Sequence, residues 1–134
     1  EPLFPGIRAL IEAFEAEGVL LGVATGKGRR GLNITLDQHG LLRHFVTCQT
    51  ADDAPGKPNP EMLRRAMAAT GAEPGKTAMI GDTTYDMLMA LSAGTVAIGV
   101  AWGYHPPVEL HAAGAHAVVA AADEVWPAWL RLTG

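Results

Sequence analysis

The stretch AMIGDTTYDM, residues 78–87, ends a short apolar run at Asp82 and places a second acid, Asp86, one helical turn further on. Two carboxylates so spaced can face one cleft, and hard cations such as Mg2+ take oxygen ligands, commonly one or two carboxylates plus water and phosphate oxygens. Gly81 lets the backbone approach closely before the turn. The plainer alternative is that Asp82 caps the following helix and Asp86 is an exposed first-turn acid. Two other positions invite the same question. Thr25 and Gly26 end the run GVAT and open a predicted helix, where a hydroxyl and free N–H groups make a receptor for a phosphate, or simply a cap. Lys57 precedes Pro58, which biases its backbone toward an extended conformation. Its ammonium can reach into a cleft to neutralise a phosphoryl oxygen or clamp a carboxylate, or it can be a solvated loop lysine.

The elements that must carry these residues are legible from patterning. Ile7–Glu17 reads as a helix stopped by Gly18, and Val19–Ala24 as a strand buried on both faces. Lys27–His39 follows as a helix ending at Gly40, then Phe45–Cys48 as a short strand. Asn59 is a cap, Pro60 suits the first helical position, and that helix runs to about Thr70 before Gly71. Thr77–Ile80, Thr95–Val100 and Ala117–Val119 read as strands, separated by helices over Thr84–Ser92 and Pro107–Ala113. Asp123–Leu132 is a terminal helix with Pro127 in its first turn. Strands alternating with helices imply an α/β, Rossmann-like, mostly parallel sheet with helices on both faces. Ligands gather at the carboxyl ends of such strands, so Thr25, Lys57, Asp82 and Asp86 are expected around one cleft.

Composition narrows the function. The 134 residues are 49% hydrophobic with a net charge of −4, which suits one globular domain and gives no reason to expect nucleic acid. No apolar run approaches the ~20 residues that span a bilayer. The single cysteine, Cys48, excludes an internal disulfide and fits a reducing compartment, so a cytoplasmic location is the expectation. The stretch around Gly26-Lys27 is not a Walker loop, because Gly28 stands where Ser or Thr is needed.

Taken together, strand-Thr, Lys-Pro and strand-Gly-Asp-x-x-x-Asp resemble the last three motifs of the haloacid dehalogenase superfamily. LFPGIRALIEAF, GVATGKGRRGL, KPNPEML and MIGDTTYDMLMALSAG look like its phosphoglycolate phosphatase-like branch. The resemblance implies that Thr25, helped by the Gly26 N–H, would hydrogen-bond a transferring phosphoryl group. Lys57 would stabilise charge shared by nucleophile and phosphate. Asp82 would ligate Mg2+, and Asp86 would complete or orient the metal shell. The implied partner is a small phosphorylated substrate, and the alternatives are a sugar-phosphate mutase or a non-catalytic module that keeps the phosphate cleft.

The family's first motif, D-x-D-G-T on a strand, is absent, as is the helical cap that normally follows it; no Asp-x-Asp occurs in the 134 residues. The resemblance places that strand mid-sheet, between Val19–Ala24 and Thr77–Ile80. Without it the two strands must close up and pair, or a segment of another chain or an upstream fragment must fill the slot. Self-association or a retained fragment is the expectation.

The remaining chemistry-bearing residues read more plainly. His39, His44, His105, His111 and His116 show no metal-ligand spacing and are expected at the surface or in loops. Cys48 is a small core residue, and Trp102, Trp126 and Trp129 are packing residues. Asp52 and Asp53 form a solvated turn.

Overall fold

The computed structural model describes residues 4–134. Six helices and five strands alternate along it: α1 Ile7–Ala16, β1 Gly22–Ala24, α2 Arg29–Gln38, β2 Thr47–Gln49, α3 Glu61–Thr70, β3 Ala78–Gly81, α4 Thr84–Ser92, β4 Val96–Val100, α5 Pro107–Ala112, β5 Ala117–Val119 and α6 Val125–Thr133. All pairing is parallel, as the alternation requires. No helix among the described residues is long and apolar enough to cross a membrane.

The centre of the fold is β4, whose five residues are all buried. Val96, Ile98 and Val100 point into a cluster with Phe14 of α1 and Val125 and Ala128 of α6. Ala97, on the other face, joins Met62, Leu63, Met87, Met89, Ala90 and Leu110 from α3, α4 and α5. Gly99 is tight on that face, where a Cβ would lie 3.0 Å from Leu110. Alternate residues of one strand thus feed two helical layers, which is why its sequence is continuously apolar. A third cluster, Ile11, Leu32, Leu36 and Leu41, seats α2 beside α1.

The predicted boundaries shift where a partner is missing or supplied from afar. The first strand spans only Gly22–Ala24 rather than Val19–Ala24; of the leading residues, Leu21 O takes a bond from Val46 N at 2.8 Å. The second strand sits slightly later, at Thr47–Gln49. Helix α2 starts at Arg29, not Lys27, because Asp52 Oδ2 accepts the Arg29 N–H at 2.8 Å and fixes the helix start there. Pro60 occupies the cap of α3, one place earlier than expected, while Asn59 Oδ1 still accepts the Glu61 N–H at 2.9 Å. The terminal helix is preceded by a 3-10 turn at Ala122–Glu124, and Pro127 falls in the first turn of α6. Gly71, at φ 71°, ends α3 in the left-handed conformation.

The sheet is in two parts, β1-β2 and β3-β4-β5, and no ladder joins β1 to β3 among the described residues. The two strands have not closed up. Between them runs a groove of about 420 Å³, with Gly22–Ala24 and Ala78–Ile80 along its sides, Leu63 and Met67 of α3 on one face and Phe14 and Trp129 on the other. Helices therefore cover both faces of a slot that contains no strand. Leu20, at 58%, and Ile80, at 37%, are exposed in consequence, although both sit in runs that read as buried.

Candidate active site

The turn from β3 into α4 is built around Asp86. Thr83 caps α4 and accepts the Asp86 N–H on Oγ1 at 3.2 Å, while Asp86 Oδ2 accepts N–H bonds from Asp82 and Thr83, each at 3.1 Å, and the Thr83 hydroxyl at 3.0 Å. This reciprocal capping box satisfies the first free donors of the helix. A Cβ on Gly81 would fall inside the Asp86 carboxylate, so glycine is required there by space. The plain alternative reading therefore fails in detail. Thr83, not Asp82, is the cap, and Asp86 is buried, with 2% of its surface exposed.

The other oxygen, Asp86 Oδ1, faces the Lys57 ammonium at 2.5 Å. It has no other partner among the described residues, and the contact is an ion pair rather than a directed hydrogen bond. Lys57 lies in the loop beyond β2, and its peptide to Pro58 is cis. Because it reaches a residue beyond β3, the carboxyl ends of both half-sheets lie on one side.

Asp82, directly after β3, is half-buried. Its Oδ2 accepts the Tyr104 N–H at 3.0 Å and its carbonyl accepts the His105 N–H at 3.1 Å, while Oδ1 has no partner among the described residues. Asp82 offers an open oxygen; Asp86 does not. Among the described residues, no three His, Cys, Asp or Glu side chains are grouped to hold a metal ion.

Thr25 directly follows β1, its N–H bonded to Gln49 O at 3.0 Å. Its Oγ1 accepts the Lys27 N–H at 3.1 Å, leaving the hydroxyl proton free to be donated. Thr25 is not at a helix start, since α2 begins at Arg29. Thus Lys57, Asp82 and Asp86 are joined by direct contacts, and Thr25 stands at the carboxyl end of the strand across the slot, touching none of them.

His44 and Asp53 differ from their sequence reading, whereas His105 and His116 do lie in loops. His44 is buried, with Nδ1 2.9 Å from Glu15 Oε2 and Nε2 without a partner among the described residues. His105 Nδ1 accepts the Thr84 N–H and His116 Nδ1 the Ala97 N–H, both at 2.9 Å. Asp53 is no solvated bystander: Oδ2 accepts the Thr50 hydroxyl and N–H at 2.8 Å and meets Arg29 at 2.5 Å. These bonds, led by those from Thr50, hold its carboxyl below the usual range. Cys48 is half-buried, and burial outweighs the nearby Arg29 guanidinium to raise its thiol, which makes it a poor nucleophile. Trp126 and Trp129 do pack, edge-on against Phe14, and Trp102 stacks on Phe4 at 4.8 Å. The long-range histidine contacts had no local signal, because each partner is remote in sequence.

The parallel α/β fold carries Thr25, Lys57, Asp82 and Asp86 beyond its strand ends. The family model described as Haloacid dehalogenase-like hydrolase matches residues 2–100, and the chain belongs to that family. It is 41% identical over 124 residues to the "Probable phosphatase IndB" of Dickeya dadantii, covering 92% of this chain and 54% of that protein. It is 32% identical over 104 residues to a phosphoglycolate phosphatase of Vibrio vulnificus, covering 77% of this chain and 46% of the relative. The solved "putative beta-phosphoglucomutase" of Thermotoga maritima superposes with a TM-score of 0.86 at 25% identity, over 96% of this chain and 60% of that one. The chain spans about half the length of the curated relatives it matches.

Proposed function

We propose that this chain is part of the core of a Mg2+-dependent phosphate monoester hydrolase of the phosphoglycolate phosphatase type. The observation that carries the reading is the linked set Lys57–Asp86–Asp82 at the carboxyl edge, beside a strand-sized slot with Thr25 on its far side. The donor set suits a hard cation held by one carboxylate and otherwise hydrated: Asp82 Oδ1 is open, and Asp86 is committed to orienting Lys57 and the β3–α4 turn. When bound, Mg2+ would offset the charge of the phosphate. Thr25 would donate its hydroxyl proton to a phosphoryl oxygen, with the Gly26 N–H beside it. Lys57, aimed by Asp86, would stabilise negative charge on the same group.

The nucleophile would come from a strand outside residues 1–134, seated between β1 and β3. Its aspartate oxygen would attack phosphorus as the bond to the leaving oxygen breaks, a second acid giving that oxygen a proton. Water would then cleave the aspartyl-phosphate. A sugar-phosphate mutase is the second reading, favoured by the likeness to the Thermotoga maritima structure; in that reading a sugar hydroxyl would take the phosphoryl group in place of water.

The test is Mg2+-dependent hydrolysis of p-nitrophenyl phosphate by residues 1–134 and by a longer chain that includes the upstream segment. The expected result is no turnover above background by the first and turnover by the second, lost in Asp82→Asn. Robust hydrolysis by residues 1–134 alone, abolished by Asp82→Ala, would overturn the assignment of the nucleophile. A longer chain inactive on phosphate esters would favour a non-catalytic module.

A further inference from the structure

We infer that His105 is a positioning residue that sets the orientation of the Asp82 carboxylate. The functional weight given to Asp82 rests on the reading above; the clamp itself rests on geometry alone. Asp82 stands at a strand end, and one hydrogen bond, from the Tyr104 N–H to Oδ2, fixes its carboxylate among the described residues. Whatever holds the Tyr104 backbone therefore decides which oxygen stays open.

The Tyr104 side chain cannot do this, being 90% exposed. The loop is held instead by the residues on either side. Before it, Ala101 N–H is bonded to Val119 O at 2.9 Å and Trp102 stacks on Phe4. Gly103 lies so close to Asp82 that a Cβ there would overlap the carboxylate. After it, His105 is fastened twice: its N–H to Asp82 O, and its ring Nδ1 to the Thr84 N–H at the first residue of α4. An Nδ1 that accepts places the ring proton on Nε2. His105 thus ties the loop to the same helix start that Asp86 organises, and the loop in turn holds Oδ2 and leaves Oδ1 available.

NMR spectra of residues 1–134 and of His105→Ala, His105→Asn, Gly103→Ala and Asp82→Asn test this. In His105→Ala, exchange of the Tyr104 amide should rise by roughly tenfold, the scale of one lost hydrogen bond. The Asp82 carboxyl-carbon resonance should move toward that of a free aspartate, while the Ile98 amide in β4 is unaffected. His105→Asn, whose side-chain oxygen can accept from Thr84, should restore both signals. Gly103→Ala should shift the Asp82 resonance with His105 intact. Unchanged Tyr104 and Asp82 signals in His105→Ala would overturn the inference, as would equal effects of Ala and Asn. Should His105→Ala fail to fold, the imidazole 15N shifts of the unaltered chain decide: a proton on Nδ1 defeats the clamp, and an unprotonated Nδ1 supports it. Adding Mg2+ separates this result from the functional reading. An Asp82 resonance that ignores Mg2+ would count against Asp82 as a cation ligand and leave the clamp standing.

Discussion

Lys57 and Asp86 meet at 2.5 Å across the divide between the two half-sheets, one from the loop beyond β2 and the other from the first turn of α4. Asp86 is the buried partner and Lys57 the more exposed, so loss of the lysine strands a carboxylate that keeps only the donors on Oδ2. Breaking a buried polar pairing from one side costs about 1–3 kcal/mol, more for a charge. Lys57→Ala should lower the unfolding free energy read from urea melts by about 1–3 kcal/mol. Asp86→Asn added to Lys57→Ala should recover part of the loss, and a double-mutant cycle measures the coupling. Additive effects of the two changes would show that the contact carries no energy.

Two glycines of the site should respond differently to a methyl group. At Gly81 a Cβ collides with the Asp86 carboxylate, whereas at Gly26 nothing lies within 4 Å. Overpacking of this kind costs roughly 1–3 kcal/mol. Gly81→Ala should therefore destabilise the fold by about that much, and Gly26→Ala should leave the thermal midpoint nearly unmoved. Equal midpoints for the two variants would contradict the close approach of Asp86.

Asp53 ties Thr50 and Arg29 together beneath the start of α2. Its carboxyl is held below the ordinary value of 3.8, chiefly by the Thr50 hydrogen bonds. A depressed carboxyl contributes stability that is present above its unfolded pKa and is lost as pH falls through the folded pKa. Asp53→Asn should be less stable than the parent at neutral pH, and the difference should shrink as pH drops below about 3.8. Urea melts across that range provide the check, and a gap that widens on acidification has the wrong sign.

What the sequence revealed depended on whether the cause was local. The apolar runs of β3 and β4, the stops at Gly18 and Gly71, and the acid pair of GDTTYD all follow from neighbours within a few residues, and each is present in the fold. Residues whose state depends on a remote partner were opaque. Asp86 read either as an exposed first-turn acid or as a group that completes or orients a metal shell; its enclosure by Thr83, Asp82 N–H and Lys57 removes the first reading. Arg29 begins α2 because Asp52 reaches it from another loop, and His44 is buried because Glu15 receives it. The gap in the sheet was legible only through the missing motif, since nothing in Gly22–Ala24 or Ala78–Gly81 records the absence of a neighbour.

The slot between β1 and β3 yields the last prediction. Among the described residues each strand pairs on one side only, β1 with β2 and β3 with β4, so each presents an unsatisfied inner edge. Such edges are templates for strand addition, and an unpaired buried donor or acceptor costs roughly 1–3 kcal/mol. The groove walls are apolar, with Leu21, Val23, Met67, Met79 and Trp129 among them, so water filling it would wet surface that an inserted strand would bury. Helices α1, α3 and α6 already cover both faces, which prevents the two strands from simply closing up without repacking Phe14, Leu63 and Met67. The chain should therefore be found with a strand in the slot, either from a second copy or from a retained segment of upstream sequence. Light scattering combined with intact-mass analysis reads this directly: the expected species is heavier than 14.0 kDa or carries a copurifying peptide. A well-folded, monodisperse 14.0 kDa monomer without such a peptide would mean that the open edges are tolerated, and the slot would lose its standing as a site of strand insertion.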